Sequence, residues 1–171
     1  MGFFTFIKTF WHKNKTKQDK TSVLHNLAEF KYKTIVEPRF ADFDMMGHVN
    51  NVTYFTFMEI GRTKYWTQAI GWDWNKTGVI IGNASIDYIQ PIFPEEPIHI
   101  YVRTSRLGTT SFDLEYVIAK IRDGKEIICS RGKTVCVAYD YTQRKPTPIP
   151  AIEREKMLAF EQINEREQAT A

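Results

Sequence analysis

Asp42, Asp44, Gly47, His48, Asn50 and Asn51 fall within ten residues that run straight into a helical pattern. A carboxylate can take a proton from water or attack an electrophile itself, and an imidazole can serve as a base near neutral pH. Asparagine favours helix starts, because its side-chain oxygen satisfies one of the orphan N–H groups of the first turn. Unpaired donors and the positive end of the helix dipole gather at that terminus. A carboxylate loop aimed at such an end is a place to polarise a carbonyl group. Nowhere else in the chain do acid–base residues and an anion hole coincide.

The elements that must hold these residues follow from periodicity. From Asn51 to Ile70 there is no proline, and Gly61 is the single internal glycine. Tyr54, Phe55, Met58, Arg62, Tyr65, Trp66 and Ala69 recur at helical spacing, which predicts an amphipathic helix of about five turns. Ahead of it, Glu29–Glu37 alternates weakly and predicts a first strand ending at Pro38. Val79–Ile89 is the second strand, and Pro91, Pro94 and Pro97 punctuate the connection to the third. Ile98–Leu107 alternates cleanly, Ser111–Arg122 is the fourth strand, and Asp123-Gly124 signals a hairpin into a fifth, Lys125–Tyr141. Pro146, Pro148 and Pro150 stop the sheet, and Ala151–Glu167 has helical composition with a thin apolar stripe of Ile152, Met157, Phe160 and Ile163. One apolar helix beside five antiparallel strands implies an α+β fold in which the sheet wraps the helix.

Arg39-x-x-Asp42-x-Asp44-x-x-Gly47-His48-Val49-Asn50-Asn51-x-x-Tyr54, followed by Glu59 and Arg62, resembles the hotdog-fold acyl-CoA thioesterases. Within them it is most similar to the 4-hydroxybenzoyl-CoA thioesterase-like family and its long-chain acyl-CoA branch. Asp87-Tyr88-Ile89-x-Pro91-Ile92 looks like that family's second strand, and Gly108-x-x-Ser111-Phe112 like its turn between the third and fourth strands. The resemblance covers roughly residues 34–142. It implies a five-stranded sheet around one long helix, a domain expected at residues 29–145; outside the resemblance, composition and pattern give a basic amphipathic extension at 1–28 and a helical one at 146–171. It also implies thioester hydrolysis in a homodimer or homotetramer, with sites formed between subunits.

For the roles of single residues, Asp44 matches the family's catalytic carboxylate, as general base or as nucleophile. The plainer reading of Asp44 is a loop or helix cap. Asn51 matches the helix N-terminus whose backbone N–H receives the developing oxyanion. His48 reads as a loop organiser lining the site, with proton transfer as the sharper alternative, and Asp42 as a structural partner of Arg39. Tyr54, Phe55 and Met58 could line an acyl channel or simply form helix core. Glu59 is a second candidate carboxylate or an ion-pair partner of Arg62 at i+3. Gly108 and Ser111 sit where the family's turn approaches the nucleotide, or form an ordinary β-turn. Arg103, Arg106, Arg131 and Lys133 could meet phosphates, or be solvated strand faces. No Gly-x-Ser-x-Gly elbow offers another route to the same chemistry.

Two rivals remain at this level. The hydratase branch of the fold spaces its Asp and His by five, against four between Asp44 and His48 here. A non-catalytic acyl-CoA or lipid-binding module is the other, and release of free thiol separates it from an enzyme.

Residues 1–33 carry seven lysines against two acids, while the remainder carries 16 basic and 18 acidic groups. A slightly acidic body argues against a nucleic-acid partner. In residues 3–12, Phe3, Phe4, Phe6, Ile7, Phe10 and Trp11 share one helical arc beside polar residues, too short an apolar run to span a bilayer. Peripheral membrane contact, docking on the protein itself, an organellar presequence and a disordered leader are the four readings. Cys129 and Cys136, seven apart on one strand, are expected to face opposite ways and not to bridge. With no Cys-x-x-Cys or His-x-x-x-His spacing, neither metal nor cofactor is expected, and reduced thiols suit the cytoplasm.

Overall fold

A computed structural model describes residues 27–163; the expectation for residues 3–12 lies outside them. The chain opens with a 3-10 turn at Leu27–Glu29, then β1 (Tyr32–Val36), a second 3-10 turn at Phe40–Asp42, and α1 (Thr53–Tyr65). A π-helical turn, Trp66–Ile70, extends α1 to Gly71, whose positive φ of 65° ends it. β2 (Gly78–Tyr88), β3 (Ile98–Leu107), β4 (Ser111–Arg122), β5 (Lys125–Asp140), a two-residue β6 (Lys145–Pro146) and α2 (Ala151–Glu161) complete it. β3 and β4 match their expected bounds. The first strand is shorter than expected because Leu27–Glu29 coils before it.

Neighbouring strands are antiparallel, in the order β1-β3-β4-β5-β2, with β6 paired to β5. The result is the hotdog arrangement, a curled antiparallel sheet around one long helix. β4 lies at its centre. Phe112, Leu114, Tyr116 and Ile118 point inward from it, and Tyr54, Phe57, Met58 and Tyr65 of α1, with Trp66 of the π-helical turn, meet them in one core. The helix can lie this close because of two glycines. A Cβ on Gly61 would stand 2.6 Å from Ile100 Cγ2, and one on Gly132 would stand 2.7 Å from Met58 Sδ. Ile149 and Met157 join the same core, so α2 closes the sheet's curl instead of standing apart.

The outer face of the sheet is not bare. Tyr101, on the face of β3 opposite Ile100 and Val102, packs edge-on against Phe30 in a second cluster with Val117 and Ala119. Arg103, Arg106 and Lys133 are also not free for phosphates there. Arg103 pairs with Glu29 and Glu115, and Arg106 and Lys133 pair with a buried Asp113.

Two expectations need correction. Cys129 and Cys136 do not face opposite ways, because a bulge at Cys129 lets Ile118 pair with Ser130 and Ala119 with Ile128. The extra residue resets the parity of the strand, and both thiols are buried in one core. Burial pushes each thiol up to about 11. Their seven-residue separation still places them roughly 20 Å apart along a strand, too far for a disulfide. In α2, Ile152 is exposed, and the buried positions are Glu153 and Met157.

Candidate active site

Asp42 is fully committed to structure. Its carboxylate accepts the Arg39 backbone N–H at 2.7 Å and the Arg39 Nη2 at 3.0 Å. Burial works to raise its pKa, but the Arg39 hydrogen bonds and charge outweigh that and hold it below the usual carboxylate range. Its carbonyl in turn accepts the Asn50 N–H at 2.9 Å.

Asp44 begins a tight hairpin closed by the bridge between Phe43 and Val49. Its N–H donates to His48 O, and its carbonyl accepts the Gly47 N–H, both at 3.0 Å. Gly47 makes the turn with a φ of 78°, a left-handed value where a side chain would be strained. Oδ1 of Asp44 accepts the Met46 N–H at 2.8 Å, so half of the carboxylate does cap the loop. Oδ2 has no hydrogen bond among the described residues and faces His48 Nδ1 at 3.7 Å. The side chain is about one-quarter exposed (26%). His48 Nδ1 also lies 3.2 Å from Val49 O, an orientation that suits a donor there and a loop-organising role.

The hairpin delivers the chain to α1 through successive N–H groups, and their partners can be followed one by one. Val49 donates to Ile92 O and Asn50 to Asp42 O, each at 2.9 Å. The next N–H, that of Asn51, has no partner among the described residues, and Asn51 is exposed. Thr53 N–H then donates to Asn50 O at 3.0 Å, and Phe55 N–H to Val52 O at 3.1 Å. The capping role expected of asparagine falls to Asn50, whose Oδ1 accepts the Val52 N–H at 3.2 Å. Helical residues start at Thr53 instead of Asn51, because Asn51 and Val52 form a separate turn, closed by the Thr53 N–H to Asn50 O bond. The Asn51 carbonyl accepts a hydrogen bond from the Tyr88 hydroxyl at 2.9 Å.

Asp44 and His48 therefore lie in the hairpin, and Asn50 and Asn51 follow it directly into α1. Tyr54 and Met58 lie in the core beneath it, whereas Phe55 is exposed. Met45, Met46, Val52, Tyr88 and Ile89 are also exposed. Glu59 is exposed and 3.5 Å from Arg62 Nη2, the plainer of its two readings. Gly108 and Ser111 are not brought to Asp44. They form the β3–β4 turn, closed by Gly108 N–H to Ser111 O at 2.7 Å, at the far end of the sheet. Tyr88, beside Asn51, pairs with Ser130, and Ser130 pairs with Ile118, seven residues along β4 from Ser111. That is roughly 23 Å of strand.

Sequence reasoning missed the support behind the hairpin. Lys120 is buried, with its side chain only 3% exposed. Its Nζ donates to Pro91 O at 2.8 Å and lies 3.2 Å from Glu96 Oε2 and 5.4 Å from the Phe93 ring centre. Glu96 also accepts the Phe93 N–H at 2.8 Å and pairs with Arg122. This pins the connection that offers Ile92 O to Val49. A signal was present: Lys120 continues the inward register of Phe112, Leu114, Tyr116 and Ile118. Among the described residues, no cluster of three or more His, Cys, Asp and Glu side chains could hold a metal ion, and no helix is long and apolar enough to cross a membrane.

Comparison with known proteins points the same way. The family model described as the thioesterase-like superfamily matches residues 38–160. Uncharacterized protein YsmA of Bacillus subtilis (strain 168) is 32% identical over 132 residues, 77% of this chain and 88% of its own. The PA5185 protein from Pseudomonas aeruginosa strain PAO1 superposes with a TM-score of 0.70 at 27% identity, over 78% of this chain and 93% of that one. A thioesterase from Thermus thermophilus, solved with coenzyme A and zinc, gives 0.68 at 29% identity, over 80% and 98%.

Proposed function

The chain belongs to the thioesterase-like superfamily, and from that premise we propose that it hydrolyses an acyl-CoA thioester to a free acid and coenzyme A. One observation carries the reading. The N–H of Asn51, without a partner among the described residues, lies two residues past the hairpin that carries Asp44 Oδ2, a carboxylate oxygen likewise without a hydrogen bond among them. Asp44 takes a proton from water as the water oxygen bonds to the carbonyl carbon. The carbonyl electrons move onto oxygen, where the Asn51 N–H receives the charge, a contribution of about 3–4 kcal/mol for one well-placed donor. The carbonyl re-forms, the C–S bond breaks, and coenzyme A leaves as the thiol with the proton. Direct attack by Asp44, giving a mixed anhydride that water opens, uses the same two groups.

The active unit in this reading is a homodimer or homotetramer. β2 is an edge strand of 11 residues without proline, lysine or arginine, and Ile81 and Tyr88 are exposed on it. Such an edge invites pairing with a second copy. The turn at Gly108 and Ser111 is too far from Asp44 in one chain, so a nucleotide contact there also requires a second copy. A monomer by light scattering at micromolar concentration removes this part of the reading.

The decisive experiment is thiol release from a panel of acyl-CoA substrates, from short to long chains plus benzoyl types, by the full chain and by Asp44→Asn. The amide keeps the Oδ1 cap and loses the base, so kcat should fall by on the order of 10²–10⁴. Turnover within tenfold of the parent, together with loss of activity in Glu59→Gln, transfers the role to Glu59. No thiol release from any substrate leaves a binding module.

A further inference from the structure

We propose that Tyr88 is a positioning residue for this hydrolysis, its hydroxyl fixing the Asn51 carbonyl so that the Asn51 N–H keeps its aim. The inference rests on the thioesterase reading. Asn51 is held on both sides of its Cα. The peptide that carries its N–H is anchored by Thr53 N–H to Asn50 O, and the peptide after it is anchored by Tyr88 OH to Asn51 O. In a regular helix the Asn51 carbonyl would accept the Phe55 N–H, but that donor goes to Val52 O at 3.1 Å. Tyr88 thus occupies the acceptor that would let α1 wind back over Asn51. Without the hydroxyl, Phe55 N–H can bond Asn51 O, and the turn that presents the Asn51 N–H rotates into the helix.

The hydroxyl is itself well placed. Tyr88 ends β2 on the inward face, opposite Ser130. Its ring stands edge-on to buried Tyr54 with centroids 5.1 Å apart and planes at 89°. Tyr54 belongs to the first turn of α1, so strand and helix start are locked to each other. Burial raises the Tyr88 pKa, which keeps the phenol protonated and a donor. The ring contact survives in phenylalanine; the hydrogen bond does not.

The test compares Tyr88→Phe and Tyr88→Leu with the full chain, using kcat and KM by thiol release, the pH–rate profile and thermal melting. Tyr88→Phe should lose about tenfold in kcat, with KM, the melting temperature and the acid limb of the pH profile unchanged. Tyr88→Leu should lose no less. If Tyr88→Phe retains the parent kcat while Tyr88→Leu is impaired, the ring alone matters and the proposal is overturned. A loss that tracks KM or the melting temperature overturns it as well. Asp44→Asn, measured alongside, separates the two failures. Its inactivity with a normal Tyr88→Phe rejects only the role of Tyr88, and absence of turnover in the parent rejects both.

Discussion

Gly61→Ala should destabilise the protein even though alanine is the better helix former. The added Cβ would stand 2.6 Å from Ile100 Cγ2 and 3.1 Å from Val102 Cγ2. Carbon atoms pack at about 3.5–4.0 Å, so helix and sheet must part by about 1 Å. Both neighbours are β-branched, fully buried and set in β3, so neither side chain can swing away. With neither neighbour free to move, overpacking costs the upper part of its usual range, about 2–3 kcal/mol, and the gain in helix propensity offsets about 1. A net loss of about 1–2 kcal/mol corresponds to a fall in melting temperature of roughly 2–8 °C at this chain length. Gly132→Ala is the control. Its Cβ meets Met58 Sδ at 2.7 Å and Cε at 2.9 Å, the mobile end of a thioether, and should cost less. Melting at one protein concentration, read beside kcat, checks both, because a helix pushed off the sheet carries Asn51 with it. A melting temperature for Gly61→Ala equal to or above that of the parent refutes the close-approach argument.

Two further outcomes concern charge. Glu96→Gln strands the Lys120 ammonium against a single carbonyl and should cost about 3–5 kcal/mol, whereas adding Lys120→Met should recover part of that; strict additivity in a double-mutant cycle contradicts the pair. For Asp113, burial works to raise the pKa but the Arg106 and Lys133 contacts outweigh it, so that it, like Asp42, titrates below its ordinary value. Each therefore contributes stability that is present above the unfolded carboxyl value near pH 4 and lost as pH falls through the lower folded value. The urea midpoint should drop below about pH 4, and Asp42→Asn should remove part of that drop, whereas an unchanged pH dependence in Asp42→Asn excludes its share.

Some of this molecule could be read before it was seen. β3 and β4 matched to the residue because strict alternation and well-marked turns bound them. Asp44, His48 and Asn51 came from one contiguous motif, and contiguous residues are the ones a one-dimensional reading places together. What it lost came from elsewhere in the chain. The bulge at Cys129 inverts the parity of everything before it on β5, and no residue type announces it. Helix spacing placed Phe55 with Tyr54 and Met58, but the sheet curls under the other side and leaves Phe55 outside. Lys120 was legible as an inward lysine but not as a tether, because Pro91 and Glu96 reach it only through the fold. Gly108 and Ser111 fell within the family motif, yet a motif carries no distance between its parts.

The strand order has a consequence in time. β3, β4 and β5 succeed one another through two short turns, so their pairing closes only small loops. β2 must pair with β5 across the entire β3–β4 hairpin, and β1 must reach β3 across α1 and β2. Closing those longer loops costs more entropy and comes later in folding. Asn51 lies at that late seam, with its carbonyl held from β2 by Tyr88 and its approach held by Ile92 between β2 and β3. In refolding from urea, strand signal should therefore return before thioester turnover, and in native-state hydrogen exchange the amides of β2 should open before those of β4. The stretch that carries Asn51 should then be the last part of this fold to form and the first to open.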